Sequence, residues 1–112
     1  MDSETKEKIW QIIHKISDNV CNVYQDRLCD LESEFLDDDG NLDENNEEFC
    51  ERKENLDEQF DYLLTIDSKF DFKGDVQSQI KTILASADEL KINRSYYPEL
   101  CSGLDELEKI CN

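Results

Sequence analysis

At 112 residues, with 12 Lys and Arg against 29 Asp and Glu, the chain has a formal charge of -17 and a sequence pI near 4.2. That balance excludes the counterion-displacing basic surface on which DNA and RNA binding depend, and it opposes adsorption to anionic membranes. Leu, Ile, Val and Phe supply 29 of the 112 residues, above the roughly one-fifth below which highly charged chains stay disordered, so one small acidic helical domain over residues 1–112 is expected.

The first element is a long helix over about residues 5–36, with Asp2 or Ser3 as its cap. Its stripe is Ile9, Ile13, Ile16, Val20, Val23/Tyr24, Leu28, Leu31 and Phe35 at three- and four-residue steps. The Val20-Tyr24-Leu28 steps interrupt a strict heptad, which leaves a continuous rod or a bend near residues 24–28 open. Trp10 and Ile12 lie beside the stripe. Gly40 and the surrounding Asp and Asn residues stop this helix, because such side chains compete for backbone hydrogen bonds and favour turns.

A second helix is predicted over about 45–70, capped by Asn45 with Glu48 closing a capping box. Its stripe is Phe49, Leu56, Phe60, Leu63, Ile66 and Phe70. After the connection Asp71-Phe72-Lys73-Gly74, Asp75 caps a third helix over 75–92 carrying Val76, Ile80, Ile83, Ala87 and Leu90. Pro98 opens a fourth, over 97–111, lined by Leu100, Leu104, Leu107 and Cys111 and weakened at Gly103 by about 1 kcal/mol relative to Ala. Short connections after the second and third helices predict an all-α, antiparallel up-down bundle of three to four helices with a long first helix and coiled-coil-like stripes.

Between Asp30 and Asp61 stand fifteen acids and two bases. The run Asp37-Asp38-Asp39-Gly40-Asn41-Leu42-Asp43-Glu44-Asn45-Asn46-Glu47-Glu48 lies at the middle of that stretch. It resembles the calcium loop of the EF-hand family. Asp37, Asp39, Asn41, Asn45 and Glu48 fall at the first, third, fifth, ninth and twelfth positions, while Leu42 stands where that family has its turn-forming Gly. The resemblance implies a calcium-responsive module. Farther along, Glu58-Gln59-Phe60 through Ile66-Asp67, with Gly74-Asp75-Val76 and Ala87-Asp88-Glu89-Leu90, is similar to the last two helices of BAG-type Hsp70 cochaperone domains. That family's basic, glutamine-containing gripping face has no match here.

No catalytic constellation is present. His14 is the only histidine and falls inside a helix, and no nucleophile motif accompanies it. Cys21, Cys29, Cys50, Cys101 and Cys111 are odd in number, lack short paired spacing and sit in or beside apolar stripes, which predicts buried, reduced thiols and a cytoplasmic or nuclear setting. Met1-Asp2-Ser3-Glu4 does not begin like a signal peptide. Asn93-Arg94-Ser95 is a glycosylation sequon that would matter only in a secreted precursor.

The expected function is therefore non-catalytic: a protein-interaction module, adaptor or subunit of an intracellular complex, needing no cofactor and no metal. The alternative is an acidic chaperone or nucleic-acid mimic that binds a basic protein by charge. Trp10, Tyr96 and Tyr97 are candidate anchors, since Trp and Tyr favour interface centres. Asp37, Asp38, Asp39, Asp43, Glu47 and Glu48 would form a charged rim that orients a basic partner and speeds encounter. Apolar surface left over from the bundle would serve homo- or hetero-oligomer formation.

Overall fold

The computed structural model describes residues 2–111. Among them five helices follow one another: α1 (Ser3–Ser33), α2 (Glu47–Leu64), α3 (Ile66–Lys69), α4 (Val76–Glu89) and α5 (Pro98–Cys111). The described residues contain no strand, only an isolated bridge between Leu36 and Leu42, and no helix among them is long and apolar enough to cross a membrane.

α1 is a continuous 31-residue helix, not two, and its 31 residues span roughly 46 Å. Asp2 caps it by accepting from the Thr5 N–H at 2.7 Å. It ends at Ser33, three residues earlier than the apolar stripe implies, because Phe35 leaves the helix to pack on Phe49 at 5.5 Å between ring centroids. α2 starts two residues later than expected, and its cap is Asn46, which accepts from the Phe49 N–H; Asn45 and Glu48 therefore form no capping box.

The predicted second helix is also broken in two at Thr65. There the hydroxyl donates to the Asp61 carbonyl at 2.8 Å and the backbone leaves helical geometry (φ -117°, ψ 16°), the local competition that β-branched hydroxyl residues offer a helix. The break turns Ile66 into the core, leaving α3 as a single turn.

The core lies along α1. Ile9, Ile12, Ile13, Ile16, Val20 and Val23 pack against Phe60 and Leu63 of α2, Ile66 of α3, three residues of α4 and Leu100 and Leu107 of α5. Ile12 is thus a core residue rather than a flank of the stripe. α5 approaches α1 closely at Gly103, where a Cβ would stand 3.2 Å from Ile16 Cγ1. The helix-weakening glycine is the contact that lets the two backbones close up. The side chain of Cys111 lies outside the described residues.

α1 also closes the ends of its neighbours. Neither α2 nor α4 has a basic residue in its last turn. Instead the buried Ser17 hydroxyl donates to the Leu64 carbonyl at 2.9 Å, and Arg27 Nη2 donates to the Leu90 carbonyl at 2.5 Å, satisfying terminal carbonyls that a helix leaves open.

Partners along α1 and α2 run in opposite directions: Ser17 meets Leu64, Tyr24 meets Asp57 and Glu34 meets Arg52. α4 ends and α5 begins level with residues 26 and 27 of α1, where Tyr97 OH donates to Asp26 and Arg27 meets Leu90. Beyond that level α1 and α2 continue as a projecting pair, the prong. The molecule measures 58 × 27 × 19 Å with a radius of gyration of 16.6 Å, against about 13 Å for a compact chain of this size.

Tyr24 and Asp57 mark the base of the prong. Tyr24 OH donates to Asp57 Oδ1, and Lys53 Nζ donates to Oδ2 at 3.2 Å. That hydrogen bond, with some desolvation, pushes the Tyr24 phenol from an ordinary 10.0 up to about 12, and it holds the Asp57 carboxyl below its ordinary 3.8. The Tyr24 contribution to stability is complete below pH ~10 and is lost as pH rises through about 12; the Asp57 contribution is complete above 3.8 and is lost as pH falls through its lowered value. In an ultraviolet titration, a tyrosinate phase near pH 12 should vanish in Tyr24→Phe. Its persistence in that variant would show that the phase belongs to another ring.

Candidate functional site

The prong is tipped by a turn that the acidic run builds for itself. Asp37 Oδ1 accepts from the Asp39 and Asn41 amides at 2.9 and 2.8 Å, and Gly40 N–H donates to the Asp37 carbonyl. Gly40 takes φ +82°, the left-handed conformation that glycine adopts without steric cost. Asp37 N–H then bonds the Asn41 carbonyl and Asp43 N–H bonds the Phe35 carbonyl, leaving Leu36 48% exposed at the tip. Beneath it Arg52 holds Glu34 at 2.8 Å and lies over the Phe35 ring.

Asp37 is thus a turn-former, whereas Asp38, Asp39, Asp43, Glu47 and Glu48 are exposed. Of the fifteen acids from Asp30 to Asp61, three pair with a base among the described residues: Glu34, Asp57 and Asp61. The segment from Asp30 to Asp61 holds most of the molecule's charge, because the other 80 residues carry 14 acids against 10 bases. Glu47 and Glu48 suit the positive end of α2, but Asp30 and Glu32 stand at the negative end of α1, where no base answers them. Acids placed there cost stability. Arg52 offsets part of that cost through the C-cap Glu34, and the remaining cost at Asp30 and Glu32 is the pattern expected where a surface serves a partner.

On one flank of the prong, Arg27 and Leu31 of α1 face Arg52, Asn55, Leu56 and Gln59 of α2 across a groove of about 340 Å³. Leu31 and Leu56 give it apolar surface, and Arg27, Arg52, Asn55 and Gln59 give it guanidinium and amide groups. This groove was not expected from sequence; the signal was the Arg52-Asn55-Leu56-Gln59 face of α2, where polar residues surround the stripe residue Leu56.

The aromatic anchors do not gather with the acidic rim. Trp10 lies near the start of α1, roughly 35 Å from the prong tip along the helix. There it contacts His14 edge-on at 4.6 Å and Phe72 at 6.3 Å. Tyr97 is spent on its 2.6 Å bond to Asp26, which lifts its phenol above the ordinary value, while Tyr96 is 78% exposed beside it. Tyr97 therefore staples the α4–α5 connection to α1, and Tyr96 is left to solvent.

Trp10 has company that sequence reasoning missed, in Phe70 and Phe72. Gln79 clamps the backbone of Asp71 from both sides, its Oε1 accepting from the Asp71 N–H and its Nε2 donating to the Asp71 carbonyl, each at 2.8 Å. That holds the two flanking phenylalanines beside Trp10. The readable signal was the aromatic-x-aromatic triplet Phe70-Asp71-Phe72, where the helix stripe claims Phe70 and nothing claims Phe72.

The calcium-loop geometry does not form. Leu42 has no left-handed backbone, the only non-glycine positive φ among the described residues being at Lys91, and the first-position Asp37 spends an oxygen on two amides. Among the described residues no group of three or more His, Cys, Asp or Glu is arranged to hold a metal ion. His14 Nδ1 lies 3.8 Å from Asp67 Oδ2. The thiols depart from the buried pattern expected of them: Cys101 is buried, Cys21 is half-buried, and Cys29 and Cys50 are exposed. Their stripe-edge positions fall outside the core because the prong has only two helices to cover them.

No family model, curated protein or solved structure matches the chain. The functional reading therefore rests on the surfaces just described.

Proposed function

We propose that this chain is a non-catalytic protein-interaction domain, an adaptor or subunit of an intracellular complex, that receives a basic segment of another protein on its α1–α2 prong. We read its architecture as an antiparallel up-down bundle from which the first two helices project. The observation that carries the proposal is the segregation of charge, with thirteen acids against two bases from Asp30 to Asp57 on the projecting pair and all but two of those acids, Glu34 and Asp57, unpaired among the described residues. Such a field steers a cationic partner and orients it. Exposed Leu36 and the Leu31–Leu56 groove offer apolar contact once it arrives.

The test is the affinity of a Lys/Arg-rich amphipathic peptide for two variants of equal charge. One carries Asn or Gln at Asp37, Asp38, Asp39, Asp43, Glu47 and Glu48; the other carries them at Glu4, Asp88, Glu89, Glu99, Glu106 and Glu108. The prong variant should lose at least about tenfold in affinity, and the control about twofold or less. Equal losses would mean that only net charge is felt, and the prong reading would fall.

A second reading, the acidic chaperone or nucleic-acid mimic, draws on the same charge with no apolar contact. Salt separates the two, because a complex held by charge alone dissolves as salt rises, whereas one seated on the groove loses mainly association rate.

A further inference from the structure

The end of the molecule remote from the prong carries an aromatic recess. Trp10, Phe70 and Phe72 bound an open space of about 500 Å³ whose rim is formed by Lys6, Glu7, Asp71 and Lys73. The rings are mutually inclined, Phe70 to Phe72 at 74° with centroids 5.0 Å apart and Trp10 to Phe72 at 54° and 6.3 Å. They form the walls of a cup rather than a stack. The cup is held in place by Gln79 on the Asp71 backbone, by the 2.8 Å bond from Phe70 N–H to the Ile66 carbonyl, and by His14 perpendicular to Trp10 at 4.6 Å between centroids.

Other aromatic rings in this chain have been given a cation of its own. Arg27 lies over Phe60, Arg52 over Phe35 and Lys69 over Tyr62, at 5.4 to 5.8 Å. Among the described residues none lies over Trp10, Phe70 or Phe72, although indole is the strongest cation acceptor of the aromatic side chains. Glu7 and Asp71 bring two carboxylates to the rim, with no ion-pair partner among the described residues. Lys6 and Lys73 balance them locally, so the rim has no net charge and the attraction for a cation comes from the rings.

We infer that this recess binds an alkylated ammonium group, and specifically the methylated lysine of a basic protein segment. A methylated ammonium is weakly hydrated and covers itself in apolar surface, so it gives up little on leaving water and gains contact with aromatic rings that attract a cation. A bare lysine ammonium holds its water more tightly, and a neutral alkyl group gains nothing from the carboxylates. The choice of a peptide source over a small amine rests on the basic-partner reading above; the ammonium chemistry does not.

Trp10 is the single tryptophan, so its emission reports occupancy directly. The probes are a short Lys-rich peptide bearing one trimethyl-lysine, the same peptide unmodified, the same peptide with a neutral tert-butyl isostere at that position, free trimethyl-lysine, and choline. The trimethylated peptide should bind about three- to tenfold more tightly than either the unmodified or the isosteric peptide. Phe72→Leu, which keeps apolar volume, should abolish that preference, and Lys6→Gln with Lys73→Gln should enlarge it.

An isostere that binds as tightly as the cation would make the recess a plain apolar hole and overturn the inference, as would an unchanged Trp10 emission with every probe. Choline binding as tightly as the peptide would overturn the lysine source. The two readings fail separately. Loss of methyl preference with prong binding intact sinks only this one, and free trimethyl-lysine binding without peptide affinity for the prong sinks only the other.

Discussion

Phe60→Ala is expected to remove about 3–5 kcal/mol of stability, whereas Phe49→Ala should cost about 1–2 kcal/mol and be felt locally. Both rings are buried, at 0% and 5% exposure, and both sit on α2. They differ in what surrounds them. Phe60 packs into the main core with Tyr24 edge-on at 5.6 Å and Arg27 above its face, so its removal opens a cavity that helices on every side are too constrained to fill. Phe49 belongs to the prong, where its neighbour Phe35 and the buried Leu31 lie outside the main core cluster. Two helices can close over a missing ring, or fray, without disturbing the rest. Urea unfolding of the two variants, followed with amide exchange, separates the cases. Equal loss of global stability would show that prong and core form one cooperative unit.

Salt should protect the prong more than the core. Raising ionic strength from about 0.01 M to about 1 M shrinks the screening length from roughly 30 Å to roughly 3 Å, so the acids of Asp30–Asp61 repel one another across the whole prong in the first condition and hardly at all in the second. The expected result is that amides of residues 47–56 exchange about tenfold more slowly at high salt through local opening, while amides around Ile13, Ile83 and Leu107 change much less. The prong variant with six neutralised acids should start slow and show little salt response. Uniform slowing over the molecule would indicate that repulsion acts on global unfolding, with no weak point at the prong.

Much of the fold is legible in the amino-acid order because the stripes are strong. Val76 to Leu90 reads as a helix with one face, and Ile80, Ile83, Ala87 and Leu90 are indeed buried; Asp2 and Asp75 read as caps and act as caps. The break at Thr65 is less legible, since a β-branched hydroxyl residue is tolerated in many helices and ends one only when a neighbour such as Ile66 gains by turning inward. What lies least within reach is level. Periodicity says which face of α1 is apolar but not how far along it α4 and α5 extend, so the prong, the exposure of Cys29 and Cys50, and the separation of Trp10 from the acidic turn are all properties of packing. Phe70 and Phe72 were assigned to a helix end and a connection, and only the fold brings them beside Trp10.

The uneven placement of charge has a mechanical consequence for a molecule three times longer in one direction than in another. A field from a basic surface exerts a torque on such a rod before contact, pulling the acidic tip forward and setting the long axis upright. Arrival would be end-on. The far end, with its aromatic recess, would then stand about 3.5 nm out from that surface, facing away from whatever holds the tip and free to meet a second body.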